Sequence, residues 1–337
     1  MREFVWVDGE RTIHFGPAAD AVDKLGGPGF ALLTTPRAAA AAPSIAKAAG
    51  AVHEVGRGQV HELAGGLLDE VRGDRLVALG GGRVIDVTKA LAAAARAGYG
   101  GGGAPRREVR ALAVPTTLSG AELTSGHRQP VGVPESTPRV RAAVVIVDPA
   151  LAASQPVPEL AASSANALGH AVEGPCTVKA NPVATLAAHE ATRLIAGGWA
   201  TDEPDRETLA LGALLAGYVI DSTGLGLHHV LAQTLVRVLG AGHGPANAVV
   251  LPHTIAALER RAGAAIAALD DAARGGGLVA LARRLGALAG ARSLSEIGAD
   301  PAGLPEAVDA AAARPQLANT PPAADRDEIA AIYDAAR

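Results

Sequence analysis

The rhythm of hydrophobic and polar positions changes once along the chain. Through residue 150, short and nearly continuous apolar runs alternate with helical patterns. Phe30–Thr34 (FALLT) lies between glycine and Pro36. Ala51–Val55 follows a helix predicted over Ala38–Ala49, and Arg75–Leu79 (RLVAL) follows one over His61–Arg72. Val109–Pro115 and Ala142–Asp148 complete the set. Apolar runs without polar alternation fit strands buried on both faces, and their alternation with helices predicts a parallel sheet. Ahead of them, residues 1–15 read as a hairpin around Asp8-Gly9, an edge on which a second subunit could pair, and Gly16–Leu25 opens a helix at Pro17. Tyr99–Arg107 and the polar stretch Gly126–Arg141 read as connections.

Beyond Pro149 the strand-like runs nearly vanish. Helices are predicted at Ala161–Glu173, Val183–Gly197, Arg206–Ser222, Gly226–Leu239, Ala246–Glu259, Gly277–Ala289, Pro305–Ala313 and Arg326–Ala336. Gly263–Gly276 and Arg314–Ala324 carry Ala, Gly and Pro at the density of loops or weak helices. The expected organisation is an α/β domain with a parallel sheet over 1–150 and an all-α domain over 151–337.

Composition narrows the class. The chain has 337 residues, 49% of them hydrophobic and 2% aromatic, so a large core must be built from Ala, Val and Leu. A net charge of −4 provides no electrostatic basis for a nucleic-acid partner. The single cysteine, Cys176, excludes an internal disulfide framework and suits a reducing cytoplasm. The N-terminal stretch lacks the apolar core of a signal peptide. The longest apolar stretch, Leu209–Ile220, falls far short of the ~20 residues of a membrane span.

Three segments carry candidate chemistry. In LGGGRVIDVTKA a buried strand runs into Gly80-Gly81-Gly82 and a helix follows at once, an arrangement that lets backbone N–H groups meet a pyrophosphate at a helix N-terminus. It is not the G-x-G-x-x-G fingerprint, and a plain tight turn is the alternative. Lys89 in that helix reads either as functional or as a solvated surface lysine. The second segment is Thr116-Thr117-Leu118-Ser119, just after a strand end, where open α/β sheets bind ligands. The third is Gly224–His253, which holds His228, His229, His243 and His253. His229 and Gln233 lie four apart on one helical face, as do Asn166 and His170 on another helix. Grouped imidazoles suit proton transfer, metal binding or anion recognition. His170, His229 and His243 with a water satisfy zinc or ferrous iron, but Asn166 brings no charge where a carboxylate would.

These segments resemble the iron-containing alcohol dehydrogenase superfamily, and within it the maleylacetate reductases, nearly end to end. GGGRVIDVTKA is similar to the family's nucleotide loop and VPTTLSGAELT to its PTT-x-x-GSE-x-T segment. VDPALAASQPVPELAASSANALGHAVE and GLHHVLAQ…GHGPANAVVLPH are similar to the two stretches that supply its metal ligands. Metal-dependent members have Asp, His, His and His where this chain has Asn166, His170, His229 and His243. Maleylacetate reductases share the Asn and the doubled His228-His229, and are regarded as working without metal. The chain departs from the family at Gln233, usually histidine, at Val236-Arg237, usually a small pair, at Gly242 and at Arg83.

The resemblance implies a nucleotide-binding α/β domain, an all-helical catalytic domain and a homodimer. It implies NADH or NADPH held by Gly80, Gly81, Gly82, Asp86, Thr116, Thr117, Leu118 and Ser119. The implied activity is reduction of a small carboxylated enone or carbonyl compound, as in maleylacetate to 3-oxoadipate in aromatic-compound catabolism, with no metal required. His229 and His243 are expected to stabilise developing charge and deliver the proton, with His170, His228 and His253 orienting carboxylates or supporting the site. A three-histidine metal-dependent dehydrogenase and a non-redox lyase on the same scaffold are the competing readings. After the Phe30–Thr34 strand no acidic residue awaits the ribose of NADH, and Arg37 is placed to meet a 2′-phosphate.

Overall fold

The computed structural model describes residues 3–100, 103–273 and 275–337. Gly101 and Gly102 of the Tyr99–Arg107 connection, and Arg274 of Gly263–Gly276, therefore lie outside the described residues. The chain divides into two compact units, Met1–Ser154 and Gln155–Arg337.

The first unit runs β1 (Phe4–Asp8), β2 (Arg11–Phe15), α1 (Ala21–Lys24), β3 (Ala31–Thr34), α2 (Pro36–Ala41), α3 (Pro43–Ala48), β4 (Ala51–Glu54), α4 (Val60–Leu67), β5 (Arg75–Gly80), α5 (Gly82–Arg96), β6 (Arg110–Pro115), β7 (Val144–Val147) and α6 (Pro149–Ala152). Among the described residues the strands form one sheet in the order β1-β2-β7-β6-β5-β3-β4, parallel throughout except for the β1–β2 hairpin. The central strands are apolar on both faces because both faces are covered. On one side Leu32, Val77, Leu79, Val114 and Ile146 pack with Phe30, Ile45 and Leu25. The chain passes from β3 outward to β4, then returns to place β5 on the other side of β3. The order thus reverses between β3 and β5, and the loops at their carboxyl ends flank the crevice where such sheets take ligands.

The second unit is all helical: α7 (Val157–Glu173), α8 (Pro182–Gly198), α9 (Arg206–Thr223), α10 (Leu227–Leu239), α11 (His243–Ala273), α12 (Gly277–Leu288), α13 (Leu304–Ala312) and α14 (Arg326–Ala335). α7 is buried on every side from Leu160 to Glu173. Its many Ala, Ser and Gly side chains let α8, α9, α10 and α11 approach closely, which is how a helix rich in small residues can serve as a core. Trp199 Nε1 donates to Ser164 Oγ at 3.0 Å, so the one polar edge of that large ring is satisfied inside the unit.

Several helix bounds change: the helix expected over Ala38–Ala49 is two, α2 and α3, that over Gly16–Leu25 is only α1, and that over His61–Arg72 ends at Leu67. α11 begins at His243 rather than Ala246, and it continues to Ala273 through a break at Ala262 (φ −137°, ψ 48°), so most of Gly263–Gly276 is helical. No single helix among the described residues is long and apolar enough to cross a membrane.

Candidate active site

Two places in the chain gather the polar groups that the sequence singles out. The first is at the switch point of the sheet. β5 ends at Gly80, Gly81 caps α5 and no side chain caps the helix, so its first-turn N–H groups remain available to an anion. The Thr116 backbone N–H donates to the Gly80 carbonyl at 3.0 Å, which ties the end of β6 to this loop. A Cβ on Gly81 would lie 2.8 Å from Thr117 Cγ2, and one on Gly82 3.0 Å from Ser119 Oγ. The glycines are therefore required for the two loops to lie against each other. Thr116, Thr117 and Ser119 are part-exposed there, whereas the Leu118 side chain is buried and serves packing.

Lys89 is not a surface lysine. It is fully buried and donates to the carbonyls of Ala121, Thr124 and Gly126 at 2.8, 2.9 and 3.0 Å. It also pairs with Asp86 at 2.9 Å. The ammonium thus pins the turn that follows Ser119, and Asp86 supplies its counter-charge from the same helix. A lone lysine in a helical pattern carries no sign of this role, because its three acceptors come from a loop more than thirty residues away. Glu122 in that turn is buried as well, and desolvation raises its pKa to about 7.

The second place is the histidine cluster of the helical unit. His228 and His229 stand in the first turn of α10 and His170 in the last turn of α7, all buried. The His170 and His229 rings stack with centroids 4.5 Å apart, and His228 meets His229 edge-on at 4.7 Å. Gly169 makes this possible: a Cβ there would lie 2.5 Å from His228 Nε2. Burial, and then the neighbouring imidazoles, hold His170 well below the ordinary histidine value. Burial likewise lowers His228 and His229 to about 3, so the cluster is uncharged at neutral pH. Each ring is fixed from behind. His228 Nδ1 is 2.9 Å from Thr254 Oγ1, and His229 Nδ1 is 2.8 Å from Glu173 Oε2. The buried Nε2 of His229 has no hydrogen-bond partner among the described residues.

Glu173 is the residue that sequence reasoning missed. It is fully buried, accepts the His228 backbone N–H at 2.6 Å, and burial raises its pKa. The available signal was its place three residues after His170 on the same helix. Its partner, however, lies 56 residues downstream.

His243 opens α11 and is exposed, and its imidazole adds to the lowering of the buried histidines. His253 is not brought to this group. It is half-buried in a separate cavity of about 280 Å³ with Arg283 and Arg292. Arg237 is exposed on α10. Arg37 is exposed at the start of α2, with a 3.3 Å hydrogen bond to the Ser154 carbonyl.

The donors present do not fit a metal ion as they stand. Among the described residues no three His, Cys, Asp or Glu side chains converge with ligand geometry. His170 and His229 are stacked ring on ring, and the one nearby carboxylate is engaged by His229 and the His228 backbone. The glycine cradle does fit a pyrophosphate, because backbone N–H groups, small residues and a helix N-terminus coincide there.

A doubly wound parallel sheet with a glycine loop at its switch point, followed by a helical unit carrying a histidine cluster, defines a class of nucleotide-dependent dehydrogenases. The chain belongs to the iron-containing alcohol dehydrogenase family. A family model described as "Fe-containing alcohol dehydrogenase family, C-terminal" matches residues 160–337, and one described as "Iron-containing alcohol dehydrogenase" matches residues 38–149. Maleylacetate reductase from Rhizobium sp. strain MTP-10005 is 34% identical over 227 residues, which span 64% of this chain and 65% of the relative. Maleylacetate reductase from Sphingobium indicum is 32% identical over 247 residues, 68% of each. The crystal structure of maleylacetate reductase from Agrobacterium tumefaciens superposes with a TM-score of 0.77 at 28% identity, covering 100% of this chain and 98% of that one.

Proposed function

We propose that this protein is an NAD(P)H-dependent reductase of a small carboxylated enone or carbonyl compound, of the maleylacetate-to-3-oxoadipate type, working without a metal. The observation that carries the reading is the buried histidine cluster backed by Glu173, on the helix that carries Asn166 where metal-dependent relatives need a charged ligand. Similarity to maleylacetate reductases supports it.

Gly80–Gly82, with Thr116, Thr117 and Ser119, would bind the dinucleotide, which supplies a hydride when bound. Asp86 acts there through Lys89. The histidines deal with the charge that hydride addition leaves on the substrate. Glu173 Oε2 and His229 Nδ1 share a hydrogen bond, and burial raises the acid and lowers the base. A proton on Glu173 donated to Nδ1 leaves Nε2–H of His229 as a preorganised donor to the developing enolate oxygen. His243, exposed at the start of α11, delivers the proton to carbon and recovers it from solvent. His170 and His228 fix the ring of His229 by packing. With no carboxylate on the α2 side and Arg37 present, NADPH is accepted as well as NADH. The protein works in the cytoplasm on a small molecule, as a homodimer, without nucleic acid or membrane.

The test is cofactor oxidation followed spectrophotometrically, with NADH and NADPH separately, against maleylacetate and simple aldehydes. Each is run with and without zinc or ferrous iron, alongside elemental analysis of protein purified without chelator. Metal-independent turnover of maleylacetate is expected. Turnover only with bound zinc or iron would replace this reading with a metal-dependent alcohol dehydrogenase. Cofactor binding without net oxidation on any substrate would point to a non-redox enzyme.

A further inference from the structure

We propose that Arg314, positioned by Gln233, is the receptor for a substrate carboxylate, so that a guanidinium rather than an imidazole selects anionic substrates. The inference rests on the reading that the histidine cluster is where the substrate reacts. His229, Gln233 and Arg237 follow one another at four-residue steps and share a face of α10. Arg314, in the turn after α13, reaches that face and donates from Nη2 to Gln233 Oε1 at 2.9 Å. Its Nη1 is buried and has no acceptor, and among the described residues no carboxylate pairs with it.

Two other half-buried arginines, Arg75 and Arg261, each spread several N–H groups over fixed acceptors. Arg75 donates to the carbonyls of Leu25, Gly27 and Pro28, and Arg261 to Glu328, Ala257 and Pro322. Arg314 instead keeps a half-buried cation near a second one, Arg237. Burial and the like charge of Arg237 lower its pKa to about 10, which still leaves it charged at neutral pH. Holding a desolvated guanidinium without a counter-ion is costly, and a carboxylate with two oxygens removes the cost through the N–H groups left on Nη1 and Nη2. Gln233 fits this role because a neutral amide orients the guanidinium without neutralising it. One helical turn, ~6 Å along α10, separates Gln233 from His229. A carboxylate on Arg314 would therefore sit a few carbons from a carbon reacting beside His229.

The experiment measures succinate, an unreactive dicarboxylate, binding to the full-length protein by calorimetry, together with maleylacetate kinetics. Arg314→Gln should weaken succinate by about 10- to 150-fold, the worth of a charged hydrogen bond, and should raise KM for maleylacetate more than it lowers kcat. Gln233→Glu guards against misfolding. It places a carboxylate on Arg314 from within, so it should lose succinate binding while its thermal midpoint stays at or above that of the parent. Unchanged succinate affinity in both variants, or no succinate binding by the parent, would overturn the proposal. If the parent binds succinate through Arg314 but never turns over maleylacetate, the receptor stands and the reductase reading falls. Turnover of maleylacetate with an unchanged KM in Arg314→Gln would do the reverse.

Discussion

His243 and Glu122 show how environment separates residues with ordinary side-chain chemistry into different roles. His243 is the exposed member of a cluster whose other rings are buried and neutral, so it alone exchanges protons freely with water. Replacing it with alanine should lower kcat by roughly 100-fold, the scale of a lost general acid, and leave NADH affinity as it was. Titration of cofactor fluorescence beside steady-state kinetics separates the two, and weakened NADH binding with intact turnover would reverse the assignment. Glu122 is the opposite case. Its pKa rises from 4.5 to about 7 because burial penalises the carboxylate. A carboxyl raised in the folded state favours folding below its unfolded value, and that advantage is lost as pH climbs through the folded value. The parent and Glu122→Gln should therefore be equally stable near pH 4. By pH 8 the variant should be more stable by up to about 3 kcal/mol, read from urea unfolding at each pH. A constant gap across that range would contradict the buried-carboxylate account.

The elements were legible to the extent that their signals are local. The strands Phe30–Thr34 and Arg75–Leu79 stood out as apolar runs, and the Gly80–Gly82 loop as a strand-to-helix punctuation. Each falls in place within a residue or so. The start of α11 did not stand out, because Gly242 and Gly244 on either side of His243 read as a loop. Gly244 is there for contact, since a Cβ on it would lie 3.0 Å from the Ala162 Cβ on α7. Glu173 and Arg314 stayed hidden, and Lys89 was left between a functional and a surface role, for a related reason. Each is defined by partners far away in sequence, and a lone charged residue in an alanine-rich helix looks like surface. The contact between α7 and α10 is the element on which the histidine cluster depends. Gly169→Ala should displace His228, costing about 1–3 kcal/mol of stability from overpacking and most of the activity. Alanine raises helix propensity at the same position, so a gain in stability with full activity would show that α10 can shift without consequence.

For the whole molecule, the exposed edge of the sheet bears on assembly. Among the described residues β1 is an outer strand paired with β2, and its Val5 and Val7 are 62% and 67% exposed. An outer strand with two bare valines invites another strand unless charge or proline blocks it, and β1 has neither charge nor proline between Phe4 and Val7. Two copies related by a twofold axis would pair β1 with β1 in antiparallel fashion and bury the same residues on both sides, as an isologous interface requires. The opposite edge, β4, exposes Val52 but carries His53 and Glu54, and it lacks a hairpin partner to stiffen it. We therefore expect a homodimer through β1. The double variant Val5→Lys, Val7→Lys puts like charges opposite each other across the axis and should raise the dimer dissociation constant by roughly 100-fold or more. It should not touch the Lys89-pinned nucleotide loop. Light scattering on a sizing column, with NADH binding measured on the same fractions, checks both statements at once. A variant that stays dimeric would move the interface elsewhere, and a parent that elutes as a monomer would remove it.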